Sequence, residues 1–179
     1  MHIHMKLCAK TLNGLWRGAL VAMILGVPQV MAAQTLLGSS RDWDAFVVTE
    51  GNSKSCYMRA APGKSAPAGV NRGDIFLFVT HRPASKVTAE ISVIVGYPFK
   101  PGSSASMAIG SQKFSMFTQD DGAWIEKPAD EARAITAMKQ GASLTLEGVS
   151  SRGTKTTDTY SLQGFSAALK TINKACGIK

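Results

Sequence analysis

Histidine and cysteine, the residues that carry most protein chemistry, are scarce in this chain. Its 179 residues include 3 histidines and 3 cysteines. His2, His4 and Cys8 fall at the very start, so only His81, Cys56 and Cys176 are left downstream. Zinc takes about four close Cys, His or carboxylate ligands, and that remainder cannot supply them. There is no Cys-x-x-Cys, which argues against thiol redox catalysis. There is no Gly-x-Ser-x-Gly elbow, and a hydrolytic triad needs a base beside its nucleophile. Neither Gly-x-Gly-x-x-Gly nor a Walker loop is present to cradle phosphates. No metal or organic cofactor is expected.

Acid is also short: 12 Asp and Glu face 20 Lys and Arg. The adjacent acids Asp120–Asp121 and Asp130–Glu131 suit a turn and a helix start better than a glycosidase pair. The bases are scattered and not interleaved with aromatics, so no nucleic-acid surface is expected. Weak attraction to anionic membrane is compatible with the charge excess.

Long hydrophobic runs are missing as well. The uncharged apolar stretch Gly18–Val27 falls short of the roughly 20 residues that span a bilayer. Lys6, Lys10 and Arg17 precede it; Pro28 and the small residues of "QVMAAQ" follow. That order reads as a secretory signal cleaved near Ala32 or Ala33. Cys8 lies before the apolar run, so a lipoprotein anchor is not expected. Residues 34–179 then form one domain of 146 residues with no transmembrane span. Loss of Lys6, Lys10 and Arg17 leaves 17 bases against 12 acids, a net charge of +5. Two cysteines in an exported chain predict one disulfide, Cys56–Cys176.

What is present is mostly strand. Trp43–Val48 reads as the first strand of the mature chain, Ser55–Ala60 as the second, and "APGKSAPAGVN" as a loop. Ile75–Thr80 is apolar on both alternating faces and predicts a strand covered on both sides. Lys86–Val95 alternates, with Val87, Ala89, Ile91, Val93 and Val95 inward. Two hairpins follow, around Gly110 and around "SSRGT", with a short strand at Trp124–Ile125 between them. Pro128 to Gly141 reads as a helix with Ala132, Ile135 and Met138 on one face. A C-terminal helix carries Phe165, Leu169, Ile172 and Cys176 at helical spacing. Many short strands with frequent turns imply a β-sandwich or barrel with two peripheral helices.

A few residues are candidates for function. Arg72-Gly73-Asp74 matches an adhesive tripeptide, but Asp74 abuts the most apolar strand, which favours a turn. Thr156, Asp158, Tyr160 and Leu162 share a strand face; Asp158 should be partly buried and paired with Arg152 or Arg72 in a structural salt bridge. Tyr97 and Phe99 lie in an aromatic-proline loop, either exposed for a partner or covering the end of the core. His81 reads as a solvated strand-end histidine; an enzyme would have to use it with Asp158 and Arg152.

The order of "WDAFV", the Cys56 segment, "RGDIFLFVTHRP", "GYPFKPGSS", "DEARAITAMKQG", "SRGTKTTDTYSLQGFSAAL" and the terminal Cys176 resembles the invasion-associated locus B family of exported bacterial proteins. The resemblance covers essentially the whole mature chain. It implies a mainly β, immunoglobulin-like β-sandwich with the two-cysteine bridge, in the periplasm or envelope. It also implies a link to host-cell entry in pathogens. No catalytic residue carries over. The expected role is a non-enzymatic envelope protein that binds a protein or surface component, with the cell surface or medium as further destinations.

Overall fold

A computed structural model describes residues 33–125 and 127–179. The expected signal segment lies outside the described residues up to and including Ala32, while Ala33 opens the first strand. The strands are β1 Ala33–Ser40, β2 Trp43–Glu50, β3 Ser53–Ala60, β4 Lys64–Ala66, β5 Phe76–Arg82, β6 Val87–Ile94, β7 Ser104–Ile109, β8 Gln112–Gln119, β9 Gly122–Ile125, β10 Ser143–Val149 and β11 Lys155–Ser161. The helices are α1 Pro128–Gln140 and α2 Phe165–Cys176. The class is as expected: mainly β, with two helices, the second C-terminal.

All eleven strands join one antiparallel sheet in the order β1-β2-β3-β5-β6-β9-β8-β7-β10-β11-β4. The sheet folds back on itself in a sandwich-like way. The Trp43 indole of β2 donates to the carbonyl of Ser161 on β11 at 3.1 Å, and the Asp42 amide donates to Gln163 O at 3.4 Å. Inner faces from both halves fill one core that includes Trp43, Met58, Leu77, Ile91, Met107, Met116, Leu146 and Tyr160.

Two strands escape the sequence reading. β1 was not expected, because seven of its eight residues are exposed and carry no burial signal; its ladder to β2 holds it. β4 lies in the stretch read as loop, where Lys64–Ala66 pairs with Thr157–Thr159 of β11. The alternation of β6 also breaks. Ile91 and Val93 point inward and Ala89 packs against the core as expected, but Ala89 does so at φ 56° in a bulge opposite His81. In α1 the buried face is Ala134, Ile135, Ala137 and Met138, and Ala132 is exposed instead.

α2 closes the core over β2 and β3. Phe165, Ala168, Leu169 and Ile172 are buried, with Phe165 edge-on to Trp43 at 5.1 Å. Gly164 enters the helix at φ 89°, where a Cβ would collide with the carbonyl of Ser40. The Cys56–Cys176 bridge then pins the last turn of α2 to β3, with Cα atoms 5.9 Å apart.

Candidate functional site

The inner face of β11 presents Thr156, Asp158 and Tyr160, all buried. A carboxylate without water needs a cation or several donors. Asp158 receives a fork: Arg72 Nη1 donates to Oδ1 at 2.8 Å and Nη2 to Oδ2 at 2.6 Å. The third guanidinium nitrogen, Nε, donates to the Val95 carbonyl at 3.0 Å. The Arg72 side chain is 6% exposed and its guanidinium lies 4.9 Å from the centre of the Tyr97 ring. The Tyr97 hydroxyl in turn shares a hydrogen bond with the Thr156 hydroxyl. Burial is the main cause that pushes the Tyr97 phenol up, and it does the same more strongly at Tyr160. The Tyr160 hydroxyl is buried without a partner among the described residues.

The backbone around this network is built to let Arg72 in. Gly73 N donates to Gly96 O at 2.9 Å, and Gly96 sits at φ 69°, where a Cβ would run into Gly73's backbone. The Arg-Gly-Asp tripeptide is therefore a close crossing of two segments of the chain, with its arginine turned inward.

Arg152 does not reach Asp158. It is exposed on the turn closed by Ser150 N to Thr154 O at 2.9 Å. There it lines the mouth of a cavity of about 240 Å³, together with Asn71, Arg72, Tyr97, Ser150 and Thr156 among others. Tyr97 and Phe99 are not an exposed partner loop. They are 7% and 6% exposed and pack edge to face at 5.4 Å. Gly148 of β10 leaves room for both rings, and Phe99 N donates to Asp120 O at 2.7 Å. Burying two adjacent rings removes more apolar area from water than any exposed placement could.

His81 is not solvated either: it is 1% exposed on the inner face of β5, opposite Cys56. The Ala89 amide donates to its Nδ1 at 3.0 Å, so that nitrogen keeps its lone pair. The proton therefore sits on Nε2, which donates to Asn173 Oδ1 of α2 at 2.8 Å. Burial lowers the imidazole's pKa, partly opposed by the Asn173 bond. His81 thus helps the disulfide hold α2. The cavity that Arg152 lines includes neither His81 nor Asp158 in its wall.

A second feature escaped the sequence reading. Opposite the core, one sheet face carries a row set by register: Asp44, Arg59, Phe78, Ser92, Trp124 and Phe117. The flanking outward positions hold Leu36, Phe46, Tyr57 and Phe76. None of these rings belongs to the core cluster, but only Phe117 is exposed; Tyr57, Phe76, Phe78 and Trp124 are half-buried and Phe46 is buried. They shield one another instead: Phe46 stacks on Tyr57 at 5.0 Å, and Phe117 on Trp124 at 5.5 Å. The Arg59 guanidinium sits 5.0 Å from the Phe46 ring and 4.4 Å from Phe76. The expectation that β5 is covered on both sides fails here, because among the described residues its outer rings meet neighbouring side chains and no second layer. The signal was available in the off-core parity of "WDAFV", "CYMRA" and "IFLFV".

These features define a disulfide-clamped antiparallel β protein with a buried ion-pair network on one side and an open aromatic face on the other. The chain belongs to the invasion associated locus B family, whose sequence model, described as Invasion associated locus B (IalB) protein, matches residues 43–173. The match takes in the whole network and Cys56, while Cys176 lies just beyond it. No curated protein and no solved structure matches the chain. Among the described residues no helix is long and apolar enough to cross a membrane.

Proposed function

We propose that this is an exported envelope protein that acts by binding another protein through its open aromatic face, and not by catalysis. The observation that carries the reading is the row Arg59, Phe78, Trp124, Phe117 with Phe46, Tyr57 and Phe76 beside it. Tyr, Trp, Phe and Arg are the residues enriched at the centres of protein interfaces. A cation ringed by aromatics fits a partner surface with an acidic group among apolar ones. Arg59 sits between two rings and faces Asp44 across the ladder, so the face is rigid before any partner arrives. Export is supported by the leader-like start and by the disulfide. In a pathogen, this binding would be the protein's contribution to host-cell entry.

A photo-crosslinking residue at Phe117, which is 46% exposed, tests the face in intact cells. The expected product is an adduct with one envelope protein, lost in Arg59→Ala. An adduct with polysaccharide rejects a protein partner at this face. So does the absence of any adduct from Phe117 when a crosslinker at exposed Glu147 does capture neighbours. Retention of residues 1–33 on a cytosolic product rejects export.

A further inference from the structure

We propose that the cavity between residues 70–72 and the Ser150–Thr156 turn is a binding site for a small oxyanion, a phosphate or carboxylate group carried by a small molecule. The cavity wall holds two arginines and no carboxylate; Asp158 sits behind Arg72 and does not line it.

Arg72 has five N–H bonds. Three are engaged, two by Asp158 and one by Val95 O, so two have no acceptor among the described residues, in a side chain that cannot swing away. Tyr97 and Thr156 share a single hydrogen bond between two hydroxyls, which leaves one hydroxyl proton without an acceptor. The Ser150 hydroxyl accepts from Thr154 N at 3.1 Å, so its own proton is available. Arg152, on the same turn, makes no ion pair among the described residues. A concave wall with these unengaged donors and a net positive side-chain charge suits a ligand that only accepts, which is the chemistry of an oxyanion. Arg72 supplies a preorganised fork, and Arg152 supplies the uncompensated charge. Val70 and the Tyr97 ring offer an apolar flank for whatever carries the anion. This site is separate from the aromatic face, and either can fail without the other.

The test is an NMR titration of the purified protein with inorganic phosphate, with acetate, and with phosphatidylglycerol vesicles. Saturable shifts confined to residues 70–72, 97 and 150–156, with a Kd of about 1 mM or tighter, are expected for phosphate or acetate. A preference for vesicles over both free ions assigns the oxyanion to a lipid headgroup. Arg152→Ala should weaken binding at least about tenfold, the loss of one charge-assisted contact, while the amide spectrum elsewhere stays that of the parent. Arg152→Lys should recover part of the affinity. Because Arg72 variants endanger the fold, the Arg152 variants are the decisive ones. Unaltered affinity in Arg152→Ala, shifts spread over the whole basic surface, or no saturation overturns the site.

Discussion

At Asp158 a full negative charge sits where water cannot reach, and the Arg72 fork is what makes that tolerable. Removing one partner of such a pair costs about 3–5 kcal/mol, because the other is stranded. Asp158→Asn keeps the shape and removes the charge, so its melting temperature should fall clearly by calorimetry. The double variant Asp158→Leu, Arg72→Met should recover much of that loss, and Arg152→Ala should leave stability unchanged. An Asp158→Asn protein that melts with the parent would mean the pair contributes nothing. The burial of Asp158 could be read from sequence, since it shares strand parity with Tyr160. The choice between Arg72 and Arg152 could not, because it depends on Gly73 crossing Gly96. His81 gives a second test at this scale. Its folded pKa lies below the ordinary 6.5 because burial disfavours the charge. The unfolded chain therefore takes up the proton first, so stability is full above about pH 6.5 and declines as pH falls below it. Glu131 acts the other way. Burial is the first cause raising its carboxyl above 4.5, although the Ile91 amide donates to Oε1 at 2.8 Å. The native state takes that proton first, and stability rises as pH falls towards 4.5. Glu131→Gln should therefore steepen the acid-side decline measured by urea denaturation at stepped pH, and a shallower decline would contradict the sign assigned to Glu131.

Among the elements, those with an inner and an outer face were legible and those held only by their ladders were not. β10, β11 and α2 bury every second residue or one helical stripe, and sequence periodicity reports that directly. β1 and β4 sit at the two sheet edges and bury no residue fully, so their strand state comes from the neighbour. The bulge in β6 was invisible for a different reason: alanine gives no hint of a left-handed backbone. Ala89 holds φ 56° because its amide is captured by His81 Nδ1. A left-handed conformation costs a residue with a Cβ roughly 1–2 kcal/mol, part of which glycine gives back as extra freedom when unfolded. Ala89→Gly keeps the amide and should raise stability by up to about 1 kcal/mol, read as a higher urea midpoint with an unchanged slope. A lower midpoint would show that the methyl's packing outweighs the backbone strain. At Gly122 the reverse holds. The Trp124 ring lies over its Cα, so Gly122→Ala should lift the indole off the sheet and red-shift its fluorescence.

For the whole molecule, what the sequence conveyed was the class of fold and the existence of one bridge. What it withheld was how the sheet closes, because that depends on contacts such as Trp43 to Ser161, 118 residues apart. The disulfide acts at the same range. It joins residues 120 positions apart, so in the unfolded chain it closes a loop holding β4 to β11 and both helices. Closing a loop of that length removes chain entropy equivalent to about 5 kcal/mol of stability in the entropy model. Two further contacts keep α2 in place without it: the Asn173 bond to His81 and the stripe Phe165, Leu169, Ile172 against the core. Cys56→Ala with Cys176→Ala should therefore still fold, at lower stability. The α2 amides should lose hydrogen-exchange protection before those of β3 and β5. Exchange that rises uniformly across the sheet would mean the bridge holds the entire fold and not the lid alone. An unchanged melting temperature would mean that it constrains nothing that the core does not already fix.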